Sequence, residues 1–130
     1  MINTDNYKHS EITEKIIKAF YKVYNTLGYG FLEKVYVNSL LIELRSMGLS
    51  VKKQAQIKVY YEDIEVGEYF VEECVILELK ALESLCEEHE FQLINYLKAT
   101  EIEVGLLLNF GKKPEFKRKI FSNFKNHFLS

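Results

Sequence analysis

Apolar residues from Glu11 to Leu27 recur at spacings of three and four, at Ile12, Ile16, Phe20, Val23, Tyr24 and Leu27. That period predicts an amphipathic helix with one face on a core. Gly28 and Gly30 end it and make a tight connection. A second helix is predicted from about Phe31 to Met47, through Leu32, Val35, Tyr36, Leu40, Leu44 and Met47, with Gly48 as its stop. The pattern then turns toward alternation. Val51 to Tyr61, rich in β-branched residues and Tyr, reads as a strand, Glu62-Asp63 as a turn, and Ile64 to Phe70 as the returning strand. Val75 to Leu79 reads as the next strand. Glu87 to Thr100 is helical again, through Phe91, Leu93, Ile94, Tyr96 and Leu97. Val104 to Phe110 is a continuous apolar run, the mark of a strand buried on both faces. Gly111 to Pro114 is a turn, and Phe116 to Phe121 a short edge strand.

The order α-α-β-β-β-α-β, with a final β, predicts an α/β fold: a mixed β-sheet flanked by helices. The step from the Val75 strand through the Glu87 helix to the Val104 strand reads as a right-handed βαβ crossover. Val75-Ile76-Leu77 is interrupted by Glu78 and Lys80, which share one face of their strand. They stand at the carboxyl end of a central strand, where open α/β sheets place their sites. Buried charges are normally paired or coordinate metals. The plain reading is therefore an ion pair, and the sharper one a metal site.

Composition narrows the picture without naming a function. With 130 residues, 48% of them hydrophobic, and one Pro, the chain is expected to form a single domain, 1–130, with loose termini at 1–10 and 122–130. No apolar run approaches a membrane span. The polar start, Met1 to Ser10, has no signal-peptide core. Cys74 and Cys86 lack metal-ligand spacing and are expected to be reduced thiols in a cytoplasmic protein. Net charge is −2, but its distribution is uneven. Glu62 to Glu90 carries about −10 and Gly111 to Ser130 about +5. That asymmetry fits a cation site beside a phosphate-facing patch, and equally a solvated surface.

Taken together, the motifs are more specific than any one alone. Gly30-x-x-Glu33-x-x-Tyr36 opens the second helix, Glu78-x-Lys80 ends a strand, and Gln92-x-x-x-Tyr96 spans one turn of the third helix. In "GYGFLEKVYVNSL", "VILELKALESL", "EHEFQLINYLKAT" and "VGLLLNFGKKPEFKRKIF" the chain resembles the GxxExxY family of the PD-(D/E)XK nuclease superfamily, from about Ile12 to Phe121. The resemblance implies a restriction-endonuclease-like core and a Mg²⁺- or Mn²⁺-dependent nuclease. Glu78 would be a metal-binding carboxylate and Lys80 the motif lysine, stabilising charge or orienting the attacking water. Gln92 and Tyr96 would help position the site and the nucleic acid. Glu33 would close the metal site from the opposite side. The chemistry suits these residue types, because Mg²⁺ takes hard oxygen ligands from one or two carboxylates. A fixed cation is useful where negative charge develops.

One departure stands out. The family carries an Asp one strand earlier, in a segment reading roughly Gly-x-Tyr-x-Ala-Asp-Leu-Leu-Val. Here the segment is "GEYFVEECVILELK", and an Ala-Asp-Leu-Leu-like tetrapeptide is missing. An even number of lost residues keeps strand parity. A hairpin turning at Glu72-Glu73-Cys74 would set Glu68 across from Glu78 on the same face, while Glu72 falls in the turn itself. Glu68 is thus the one candidate substitute, which leaves two readings: Glu68 takes the place of the Asp as the third metal ligand, or the chain is a degenerate member that keeps the scaffold without efficient catalysis. The pairing of Ile64 to Gly67 with the preceding strand would have to shift.

Plainer readings stand beside these. Glu33 would also suit the first turn of a helix through its dipole. Tyr36 and Tyr96 would serve as core aromatics with hydrogen-bonded hydroxyls. Gln92 and His89 would be surface helix residues, and His9 and His127 are not expected to be ligands. Lys112, Lys113, Lys117, Arg118 and Lys119 would form a phosphate-binding footprint, or would guard an edge strand. The partner expected is nucleic acid, DNA ahead of RNA. The alternatives are a catalytically silent nucleic-acid-binding module and a protein-interaction module, including a homo-oligomer, on the same fold.

Overall fold

Among the residues described by the computed structural model, 9–61 and 64–122, the chain runs α1 (Ser10–Leu27), α2 (Glu33–Ser46), β1 (Val51–Tyr61), β2 (Ile64–Val71), β3 (Val75–Lys80), α3 (Glu87–Lys98), β4 (Val104–Phe110) and β5 (Pro114–Ile120). For 54–61 and 64–68 only the backbone is described. The Glu62-Asp63 turn, His127 and the outer parts of both expected loose termini lie outside the described residues. The strands form one mixed sheet in the order β1-β2-β3-β4-β5. β3 and β4 are parallel, and the other pairs are antiparallel. This is the expected α/β, restriction-endonuclease-like arrangement, with β3 at the centre of the sheet.

Helices cover both faces. The main core joins Ile16, Phe20 and Val23 of α1 and Tyr36, Leu40 and Leu44 of α2 to Leu77, Leu79, Leu106, Leu108 and Phe110 of the sheet. A second core on the opposite face joins Leu93, Tyr96 and Leu97 of α3 to Ile76 and Leu107. A strand covered on both sides has no polar face to show, so β4 is apolar almost throughout. Gly105 permits the close approach of α3, because a Cβ there would lie 2.7 Å from Leu93 Cδ1.

Two elements start two residues away from the expected position, each for a local reason. α2 starts at Glu33 because Gly30 takes φ 108° and Leu32 is extended, while the Phe31 N–H is bonded to the Tyr36 hydroxyl. β5 starts at Pro114, which a strand at the sheet edge tolerates because no ladder donor is needed on its open side.

The β2–β3 connection turns at Glu72-Glu73-Cys74, with Val71 paired to Val75. Both Glu72 (φ 52°) and Glu73 (φ 56°) are left-handed, a conformation that L-residues other than Gly, Asn and Asp seldom adopt. Glu72 is fastened in place: its N–H donates to Ser50 O at 2.8 Å, and its Oε1 accepts from Ser50 N–H at 2.6 Å. Its carboxylate is therefore committed to the turn. The shift expected in the β1–β2 pairing is also present. Gln54 pairs with Glu68 but Val59 with Val66, so residues 55–58 of β1 face Gly67 alone.

Glu73 makes an exposed ion pair with Lys52, at 3.1 Å, and such pairs contribute little. Glu73→Gly relieves left-handed strain of about 1–2 kcal/mol, offset in part by the greater chain entropy of Gly. The expected outcome is a higher urea midpoint with unchanged slope, a gain of roughly 0.5–1 kcal/mol.

Candidate active site

β3 carries Glu78 into the interior. Ile76, Glu78 and Lys80 share the strand face that looks toward α3, as Ile76 belongs to the α3 core and side chains alternate. Glu78 is 4% exposed. Among the described residues neither of its carboxylate oxygens accepts a hydrogen bond. Lys80 Nζ stands 3.4 Å from Oε1, an ion pair whose lysine side chain is itself 22% exposed. Burial pushes the Glu78 carboxyl above its ordinary range. The Lys80 ammonium opposes that rise, and the negative charge of Glu33 adds to it. Glu33 thus lies close enough for its charge to be felt at Glu78, although it comes from the helix layer on the other face of the sheet.

The position of Glu33 follows from the turn before it. Gly28 and Gly30 have positive φ, which lets the chain fold back between the helices. Tyr36, fully buried, donates its hydroxyl to Gly28 O at 2.7 Å and accepts from Phe31 N–H at 3.3 Å. Its ring stacks on Phe110 at 4.3 Å between centroids. The motif tyrosine therefore pins the turn to the end of β4 and sets the first turn of α2, with Glu33 in it, at the carboxyl edge of the sheet. The plain reading of Tyr36 as a core aromatic with a bonded hydroxyl holds.

Asn109 escaped the sequence reading. It is fully buried near the end of the apolar β4 run, and it lies in register beside Lys80. Its Oδ1 accepts from Leu82 N–H at 2.9 Å, and its Nδ2 donates to Leu82 O at 3.0 Å. Gly111 completes the seat, because a Cβ there would fall 2.5 Å from Leu82 O. The chain leaving Lys80 is thus clamped to the end of β4. The one available signal was a lone amide inside "GLLLNF", where a buried polar group needs partners.

The other expected site residues scatter more. Tyr96 is buried in the α3 core, and Gln92, half-buried, lies one turn nearer the start of α3. The crossover brings that end of the helix toward the carboxyl ends of β3 and β4. His89, half-buried in the first turn of α3, accepts the Cys86 N–H at its Nδ1, 3.0 Å away, and serves as a cap. Among the described residues the β2–β3 pairing runs from Val71↔Val75 to Tyr69↔Leu77, one step short of Glu68 and Glu78. The Glu68 side chain lies outside the described residues. Among the described residues no three His, Cys, Asp or Glu side chains gather as metal ligands.

The basic residues do not form one surface. Gly105, Leu107 and Asn109 pair with Lys119, Lys117 and Glu115, which places these on the α3 face. Arg118 pairs with Leu106 of the main core and lies on the opposite face. Lys119 is tied to Glu90 at 2.6 Å, and its hydrogen bond holds the Glu90 carboxyl below the usual range. Lys112 and Lys113 are exposed in the β4–β5 turn, with Lys112 3.8 Å from Glu83. The run also occupies the sheet edge, where lysine discourages further strand pairing.

A β-sheet with helices on both faces, ending its central strand in a buried Glu-x-Lys, is a nuclease-type architecture. Residues 10–119 match the family model described as the PD-(D/E)XK nuclease superfamily, and the chain belongs to that superfamily. No curated protein and no solved structure matches it. No helix among the described residues is long and apolar enough to cross a membrane.

An acid whose pKa is raised on folding holds its proton more readily folded than unfolded. Stability then falls as pH rises from the ordinary carboxyl range through the raised value. Glu78→Gln is therefore expected to be more stable than wild type at pH 8, by about 0.5–2 kcal/mol. The gap should close toward about pH 4 in a urea series. Lys80→Met should lose stability at pH 8, and that loss should vanish when Glu78→Gln is added.

Proposed function

We propose that this protein is a divalent-metal-dependent nuclease of the GxxExxY branch, acting on nucleic acid, with DNA the first candidate. One observation carries the reading. Among the described residues, a buried carboxylate at the end of the central strand keeps both oxygens without hydrogen bonds, in an ion pair with Lys80. Such a group is expensive to maintain unless it has a function or a cation to hold. Hard oxygen donors of this kind fit Mg²⁺ or Mn²⁺. Glu78 and Glu33 would hold the ion, with Glu68 as the third ligand in place of the missing Asp. When bound, the ion supplies positive charge to a phosphate undergoing in-line hydrolysis.

The chain's own residues do the rest. Lys80, near enough to pair with Glu78, would place a fixed ammonium where the phosphate oxygens gain charge. Asn109 holds the segment after Lys80 and so restrains where the strand end points. Gln92, at the α3 side of the strand end, would contact the nucleic acid. Tyr96 would support it from the core. The exposed Lys112, Lys113 and Lys117 would meet phosphates, while Arg118 and Lys119 would contribute less directly.

Calorimetry with Mg²⁺ and Mn²⁺ tests the reading. Wild type is expected to bind in the millimolar range or tighter, and Glu78→Ala and Glu68→Ala to lose most of that binding. Metal-dependent cleavage of a labelled oligonucleotide should disappear in Glu78→Ala and Lys80→Ala. Absence of metal binding by the wild type would leave the alternative, a scaffold that binds nucleic acid without cutting it.

A further inference from the structure

The turn that carries Glu33 to its place is itself unusual. Tyr29 is 57% exposed, Phe31 48% and Leu32 74%. Connecting turns are ordinarily built from small and polar residues. Here the side chains between and after the two glycines are large and apolar, and the backbone beneath them is fixed by the Tyr36 hydroxyl at both Gly28 and Phe31. The Phe31 ring meets Tyr36 edge-on, at 6.0 Å and 82°, so it is held in place with about half of the residue still open. Order without burial is what a stacking surface requires, since little rotamer freedom remains to be lost on contact.

Its location says what would stack there. Glu33 follows Leu32 directly, and its charge is felt at Glu78. Phe110, on which Tyr36 stacks, closes the strand whose Asn109 lies beside Lys80. The aromatic turn therefore borders the Glu78–Lys80 strand end on the side opposite α3. We propose that the Tyr29–Leu32 turn is a platform for an unpaired nucleobase, and that the site takes single-stranded or frayed nucleic acid in preference to intact duplex. The proposal rests on the nuclease reading above. The faces of paired bases are covered by their neighbours in a duplex, so a ring beside the phosphate site reaches a base face only when the strand is open. Stacking of this kind tolerates any sequence, because every base has a π-face.

The test is fluorescence anisotropy in EDTA, so that nothing is cleaved. The probes are a labelled oligothymidylate, an abasic strand of equal length and a blunt duplex. Wild type is expected to bind the oligothymidylate about tenfold more tightly than the abasic strand, and more tightly than the duplex. Tyr29→Ala with Phe31→Ala should abolish that preference and leave abasic affinity unchanged. Phe31→Leu keeps apolar area but lacks a ring and should also lose the preference; Phe31→Tyr should keep it. Thermal melting checks that each variant folds. Equal wild-type binding of oligothymidylate and abasic strand overturns the platform and leaves the nuclease reading standing. Failure to bind either strand overturns the platform, and the nuclease reading is then decided separately by the metal calorimetry above. A change in sedimentation with unchanged oligonucleotide preference would mark the turn as a contact between copies of the chain, and would also overturn the proposal.

Discussion

Glu78 is pressed against Lys80 at the dry end of the central strand, and the surrounding architecture makes that pair possible. β3 has neighbours on both sides and helices on both faces, so its side chains lose water whether or not they are apolar. In that setting a carboxylate resists ionisation, and a nearby lysine can only partly restore its charge. The lysine remains partly in contact with water while the glutamate does not. The pair is asymmetric, with a concealed anion behind a cation at the rim, and it leaves the anion with unused acceptor capacity.

The spacing Gly30-x-x-Glu33-x-x-Tyr36 reads in the structure as a mechanical unit. The glycine reverses the chain, the glutamate occupies the first helical turn, and the tyrosine one turn later reaches back to bind the backbone on either side of that glycine. Phe110 supplies the stacking surface that anchors the tyrosine to the sheet. Helical periodicity alone makes the arrangement possible, because residues three apart lie on neighbouring parts of one face. The acidic side chain and its support thus come from one short segment, although the carboxylate at which its charge is felt, Glu78, lies more than forty positions further along.

Much of the fold was legible because its signals are local. α1, β1 and β4 announce themselves through period, and the crossover follows from element order. The Glu72-Glu73-Cys74 turn was inferred by counting parity around a missing segment, and Val71 does pair with Val75. The parts that were not legible depend on tertiary partners. The lone amide in "GLLLNF" signals that Asn109 needs a partner but not which one, since that partner is the backbone of Leu82, 27 positions away. Lys117, Arg118 and Lys119 look like one basic cluster in the sequence, yet strand alternation sends the middle one to the other face. The start of α2 was set by a side-chain hydroxyl arriving from within the helix, which no propensity scale contains.

The pairing of β3 with β4 has a kinetic side as well. Val71 meets Val75 and Phe110 meets Pro114 through turns of a few residues, whereas Val75 meets Val104 only after α3 has crossed over. Contacts that span more chain are slower to close. Both hairpins are therefore local events, and the parallel seam between them is the late one. Glu78 lies on that seam, opposite Leu107. Glu78 is therefore expected to stay in water through the early steps of folding, and to lose it only when the two halves of the sheet zip together.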